Sequence, residues 1–338
     1  MSICTSLAGC AAGLLMCCLL AAAPGGCRAK PAAEEIIVYC GVDEPYASQI
    51  FAQFEKQTGL HVAPRYDIES SKSVGLAGKL EAERDHPRAD VWWGSEAFLS
   101  VRLADEGILD RYQPSSAADT PGQFKDADGY WTGVGLRARV LAVTAGAGPF
   151  PITGLAAMAD PRLKGKVAIS RPTAGATGAH LAALYVLWGP EKARAFCRQL
   201  HDNDVALLGG NAEVADQVGA GVYSLGLTDS DDVANAAANG GKLSMVVPDQ
   251  QGQGTLAMPT TVALIRGAKH PEKARKLIDF LVSRQTEQSL INMKFARWSV
   301  RGQGDTIKAM QVDYRAAALI FARAQREATA ILEGRQPQ

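Results

Sequence analysis

The stretch "GLTDSDD" at residues 226–232 places three carboxylates, Asp229, Asp231 and Asp232, within four positions, directly after an apolar run. Aspartate is favoured at helix N-caps and in first turns, where it meets unpaired N–H groups and the positive end of the helix dipole. Thr228 with Asp231, or Asp229 with Asp232, has the spacing of a capping box. A cap accounts for one aspartate and tolerates a second; it does not need three. Two like charges 4 Å apart cost about 1 kcal/mol in water and about 4 kcal/mol at an effective dielectric near 20. Three aspartates are therefore nearly free on an open surface, whereas a closing cleft demands a cation. Cap and ligand site both stay open at this point.

Asp43, before a helix opening at Pro45, and Glu96, before "AFLSVRLADEG", occupy similar positions, with helix capping as the plain alternative. Asp43, Glu96, Asp229, Asp231 and Asp232 together would make an oxygen-only anionic site, which suits hard cations such as Fe³⁺, Ca²⁺ or Mg²⁺. A second candidate is "SRPTAGATGAH" at 170–180, where glycine-rich backbone feeds a helix N-terminus. Thr173, Thr177 and Gly178 would offer donors to an anion there; an ordinary strand–helix turn is the alternative. Arg137 and Arg139 alternate along an apolar run, so a strand would put both on one face, toward an anion or toward carboxylates. Asp67, Glu69 and Lys72 are candidates for a cleft rim. Trp92, Trp93 and Trp131 are candidates for core or ligand wall, and the hydroxyls of "MPTT" at 258–261 are minor candidates.

The elements that must hold these residues alternate between strand and helix. "IIVYC", "HVAPRY" and "ADVWW" are expected strands, and the segments after them expected helices. In the first helix Ala47, Ile50, Phe51 and Phe54 recur at helical spacing, Pro45 suits the first turn and Gly59 supplies the stop. A polar loop at 113–128 precedes two apolar runs, "YWTGVG" and "ARVLAVTA", and the rhythm restarts with "KVAIS", "HLAALYVLW", "PEKARAFCRQL", "VYSLGL", "DDVANAAANG" and "LSMVV". "TVALIRG" then leads to an amphipathic helix with Ala274, Leu277, Ile278, Leu281 and Val282 on one stripe, and a helix closes the chain. This pattern predicts an α/β fold of two units, lobe 1 from 36–138 plus 266–338 and lobe 2 from 139–265, crossed near 138–146 and 258–266. Ligands in such folds bind beyond the carboxyl ends of strands and in clefts between domains.

The 338 residues are 47% hydrophobic, enough for more than one core, and carry no net charge, with no basic tract for nucleic acid or anionic membrane. "LAGCAAGLLMCCLLAAAPGGC" is expected to be a secretory signal over 1–27, too short and too broken for a spanning helix. Its small residues ending in Cys27 resemble a lipoprotein signal, which would anchor the protein to a membrane through that cysteine in an extracytoplasmic compartment. After processing only Cys27, Cys40 and Cys197 remain, neither a disulfide framework nor a zinc pattern. The five histidines show no metal-ligand spacing, and neither a nucleophile elbow nor a nucleotide loop is present, so catalysis and a catalytic cofactor are not expected.

Five blocks in order, "IVYCGVDEPYASQIFAQFEKQTGL", "ADVWWGSEAFLSVRLADEGIL", "YWTGVGLRARVLAV", "DPRLKGKVAIS" and "MPTTVALIRGAKHPEKARKLIDFLVS", make the chain resemble bacterial extracellular solute-binding proteins of ABC transporters, in their ferric-ion-binding branch. The resemblance implies a type II-like periplasmic binding protein fold, two lobes joined by crossing strands and closing on a ligand. It also implies a monomer that hands a small ion to an ABC permease in the cytoplasmic membrane. Ferric iron with a synergistic anion near 170–180 is the implied cargo. The usual ligand histidine is replaced by Asp43, the usual glutamate matches Glu96 with a one-residue slip, and the usual tyrosine pair falls on "LTDSDD". Capture of a small oxyanion, such as phosphate or an aminophosphonate, is the alternative; a carboxylate ring would then grip the amine.

Overall fold

A computed structural model describes residues 35–67, 74–147, 151–173, 175–302 and 304–336. Cys27, Glu69, Lys72 and the expected signal segment lie outside the described residues. The first part of the chain runs β1 (Ile36–Cys40), α1 (Glu44–Thr58), β2 (Val62–Tyr66), α2 (Val74–Ala82), β3 (Val91–Gly94), α3 (Ala97–Asp105), β4 (Leu109–Asp110) and β5 (Thr132–Thr144). The middle adds β6 (Val167–Ser170), α4 (Gly175–Trp188), α5 (Pro190–Asp202), β7 (Ala206–Leu208), α6 (Asn211–Gly219), β8 (Leu225–Asp229), α7 (Ser230–Ala238) and β9 (Leu243–Val246). The chain returns through β10 (Ala257–Ile265) and closes with α8 (Pro271–Leu281), α9 (Arg284–Asn292) and α10 (Tyr314–Leu332).

The strands are ordered β2-β1-β3-β10-β5-β8-β6-β7, with β4 on β10 and β9 on β5. Strands β1, β2 and β3 pair in parallel, as do β6, β7 and β8. The two parallel groups are joined by β10 and β5, both antiparallel to their neighbours. The two crossings expected near 138–146 and 258–266 are these two strands. The runs read separately as "YWTGVG" and "ARVLAVTA" belong to one strand, interrupted by a bulge at Gly135, which has φ +61 and which the β10 register skips. Only glycine fits there: a Cβ would stand 2.8 Å from that of Ala296. Glu287 of α9 accepts the Gly135 N–H at 3.0 Å and so pins the bulge.

The two halves of the sheet have separate cores. In α1, Ala47, Ile50, Phe51 and Phe54 are buried, and Gly59 ends the helix at φ 69, as the sequence pattern requires. They join Trp93, Val262 and the Ala274, Leu277, Ile278 and Leu281 stripe of α8 in one cluster. Burying each large side chain of this kind contributes about 1.5–3 kcal/mol. A second main cluster gathers α4 and α5 against Leu141, Ile169 and Leu227. Helix α10, expected on the first lobe, bridges instead. Its Ala317, Ala324, Ala328 and Ile331 enter the α4–α5 cluster, Glu327 pairs with Arg194 of α5 at 2.8 Å, and Tyr314 meets Phe98 of α3 edge-on at 5.3 Å. Cys40 and Cys197 are each buried as free thiols. No helix among the described residues is long and apolar enough to cross a membrane.

Candidate functional site

Four strand-to-helix junctions converge. Ser95 and Glu96 lead from β3 into α3, residues 171–173 follow β6 ahead of α4, Gly209 and Gly210 lead from β7 into α6, and Asp229 leads from β8 into α7. Residues of all four line one cavity of about 80 Å³, with Arg137 on its wall. Helix N-termini present unpaired N–H groups and partial positive charge. Two of the four junctions bring carboxylates to the cavity. At the other two, α6 begins at Gly210 without a side-chain cap while Glu213 Oε2 accepts the Gly209 N–H at 2.8 Å, and Arg171, Thr173, Gly175 and Ala176 bring the start of α4 to the cavity.

The acidic cluster is already partly neutralised. Arg139, fully buried, donates through Nη1 to Asp229 Oδ1 at 2.6 Å and Asn211 Oδ1 at 2.9 Å, and through Nη2 to Thr177 Oγ1 at 2.9 Å. Arg137, 7% exposed, reaches Asp229 Oδ2 and Asp231 Oδ2, both at 3.3 Å, through its Nη1. Its Nη2 donates to the Ser95 carbonyl at 2.9 Å, and its guanidinium lies 5.3 Å from the Phe295 ring centre. The expectation that both arginines share a face is met, and the face they share is that of Asp229. Burial works against charge on Arg137, but Asp231, Asp229, Asp43 and Asp232 outweigh it and raise its pKa. One oxygen each from Asp229, Asp231 and Asp232 lies within 4.8 Å of the others, a spacing able to hold a cation. Both oxygens of Asp229 nevertheless face guanidinium nitrogens.

Glu96 behaves differently. It accepts the Phe98 N–H at 2.5 Å and the Leu99 N–H at 3.1 Å, so it caps α3 while lining the cavity. Burial pushes its carboxyl up to about 7, against the downward pull of those N–H groups, Arg137 and Arg102. Asp43 stands at the N-cap of α1 without a side-chain cap bond; it does not line the cavity, but its charge acts on Arg137. Asp232 accepts from Thr228 Oγ1 at 3.2 Å and reaches the cavity.

The anion candidates divide. Thr173 lines the cavity. Thr177 lies behind it, held by Arg139 and by Ser170 Oγ at 2.5 Å. Gly178 faces α10, where an added Cβ would stand 3.3 Å from Phe321. Trp92, Trp93 and Trp131 are all core, Thr260 Oγ1 donates to the Val134 carbonyl, and Asp67 accepts the Leu76 N–H. The sequence reading missed Ser95, Ser170 and Asn211. "GGN" at 209–211, a flexible turn before an uncapped helix, was the available signal for Asn211. His180 is buried without a partner on either ring nitrogen among the described residues, and burial with the nearby Arg139 charge lowers its pKa to about 3, so it is neutral.

The family model of the bacterial extracellular solute-binding protein matches residues 36–292. Iron uptake protein A1 of Synechocystis sp. is 27% identical over 269 residues, covering 76% of this chain and 73% of that protein. The putative 2-aminoethylphosphonate-binding periplasmic protein of Salmonella typhimurium is 24% identical over 290 residues, covering 85% of this chain and 79% of that protein. Among solved structures, the ferric binding protein from Campylobacter jejuni superposes with a TM-score of 0.77 at 20% identity, covering 88% of this chain and 98% of that one. A two-lobe periplasmic binding fold, a cavity at its converging strand ends and a family match over most of its length lead to one assignment: this chain belongs to the bacterial extracellular solute-binding proteins.

Proposed function

We propose that the cleft takes a compact solute carrying both signs of charge, and that a small phosphonate or phosphate bearing an amine fits it best. Proteins of this family are substrate-binding components that bind small ligands and work with ABC permeases, in an extracytoplasmic setting. The carrying observation is the division of the cavity wall. The β6–α4 and β7–α6 junctions bring Arg171, Thr173 and positive dipole ends to it, while Asp231, Asp232 and Glu96 bring carboxylates. Arg137 and Arg139 offset much of the acidic charge, which weighs against a bare trivalent cation and for a guest with its own internal balance. The likeness to the Salmonella protein supports the same reading.

Ferric iron held with a synergistic anion is the second reading. The cation-sized spacing of Asp229, Asp231 and Asp232 favours it, as does the likeness to iron uptake protein A1. Such a site would lack tyrosinate, since no tyrosine among the described residues lines the cavity. Both readings place the lobe limits at the β5 and β10 crossings, and both include action as a monomer anchored through Cys27.

Titration calorimetry with 2-aminoethylphosphonate, inorganic phosphate and ferric citrate separates them. The first reading expects 2-aminoethylphosphonate to bind in the presence of chelator, at least about tenfold tighter than phosphate, with the advantage lost in Asp231→Asn/Asp232→Asn. Each tenfold is about 1.4 kcal/mol of amine recognition. Binding of ferric citrate with no response to 2-aminoethylphosphonate overturns it in favour of iron.

A further inference from the structure

Arg137 meets two of the three carboxylates whose spacing could hold a cation. Its Nη1 stands 3.3 Å from both Asp229 Oδ2 and Asp231 Oδ2, bridging two carboxylates as a metal ion bridges its ligands. The group is held from the other side as well, by the Ser95 carbonyl at 2.9 Å and by the Phe295 ring at 5.3 Å. The Phe295 ring is itself set against Tyr46 at 4.9 Å between centroids. Carbonyl oxygen, aromatic face and carboxylates are all cation-seeking groups. Supplied by the β3–α3 junction, β8, α7 and the segment after α9, they converge on one side chain of β5.

We propose that Arg137 is a specificity-determining residue, a built-in counter-ion that fills the acidic cage and excludes free metal cations. The inference rests on the reading of this cleft as the solute site. A hard cation needs the carboxylate oxygens that the guanidinium already holds, and it would sit a few ångströms from a fixed like charge in a low-dielectric pocket. A ligand with its own anionic group avoids that conflict, because its oxygens meet Arg171, Thr173 and the positive ends of α4 and α6 and leave Arg137 in place. Charge at position 137, more than the count of aspartates, then decides which class of ion enters.

The test measures binding of calcium and of terbium(III), a hard trivalent probe, by titration calorimetry. Wild type is expected to bind neither with a dissociation constant below the millimolar range. Arg137→Gln is expected to bind both at least about a hundredfold tighter, whereas Arg137→Lys, which keeps the charge, stays like wild type. If Arg137→Gln does not fold, Arg137→Gln/Asp229→Asn removes one charge of each sign and leaves Asp231 and Asp232 to show the same gain. A folded variant with no gain, or a wild type that already binds terbium tightly, overturns the inference. Failure of wild type to bind 2-aminoethylphosphonate overturns the ligand reading alone, because the gain of cation binding is scored separately.

Discussion

The junctions β3–α3 and β8–α7 are built alike and behave differently. Each has a buried carboxylate at the helix N-cap, Glu96 in one and Asp229 in the other, and both line the same cavity. Glu96 spends both oxygens on the N–H groups of its own helix, whereas Asp229 makes no side-chain cap bond and gives both oxygens to Arg137 and Arg139. Burial raises the Glu96 carboxyl to about 7 despite its local N–H partners, while distant partners make Asp229 part of a buried ion-pair cluster. An acid before a helix therefore has two fates, and tertiary contacts choose between them.

Breaking the distant pair should have the largest effect. Arg139→Met leaves Asp229 buried with one guanidinium and strips donors from Thr177 and Asn211, so a loss of about 3–5 kcal/mol is expected in urea unfolding. Next comes the pH response of Glu96. Its folded-state value lies above its ordinary 4.5, so its contribution to stability is full below pH 4.5 and is lost as pH rises through about 7. At about 1.4 kcal/mol per pH unit the loss is on the order of 3 kcal/mol, and Glu96→Gln should remove that slope; an unchanged slope would show that the carboxyl is not desolvated. The smallest effect sharpens the comparison at a third helix. At the start of α9, Ser283 accepts the Thr286 N–H at 3.2 Å, so Ser283→Ala should cost roughly 0.5–2 kcal/mol, read from the same unfolding curves.

What the sequence disclosed follows the same division. Features set by local spacing were legible: α1 and α8 with their buried stripes, the strand–helix alternation and both crossing strands. Features set by distant partners were not. Nothing near Asp229 indicates that it meets residues 90 and 92 positions earlier in the chain. Helix α6 escaped because its nine residues carry too short a stripe, and with it went Asn211 and an uncapped helix start. Gly178 was assigned to a site by its glycine-rich context, yet its face is set by α10, more than a hundred residues away. The bridging of α10 was equally unreadable, because its alanine-rich face fits either core.

Strand β5 also ties the cleft's charges to its framework. Arg137 lies opposite Met258 where β5 pairs with β10, and Arg139 lies opposite Asp229 where it pairs with β8. Only Ala138 separates them. The strand that joins the two parallel groups thus carries both guanidiniums, so the cleft's charge balance is written into the seam of the sheet itself.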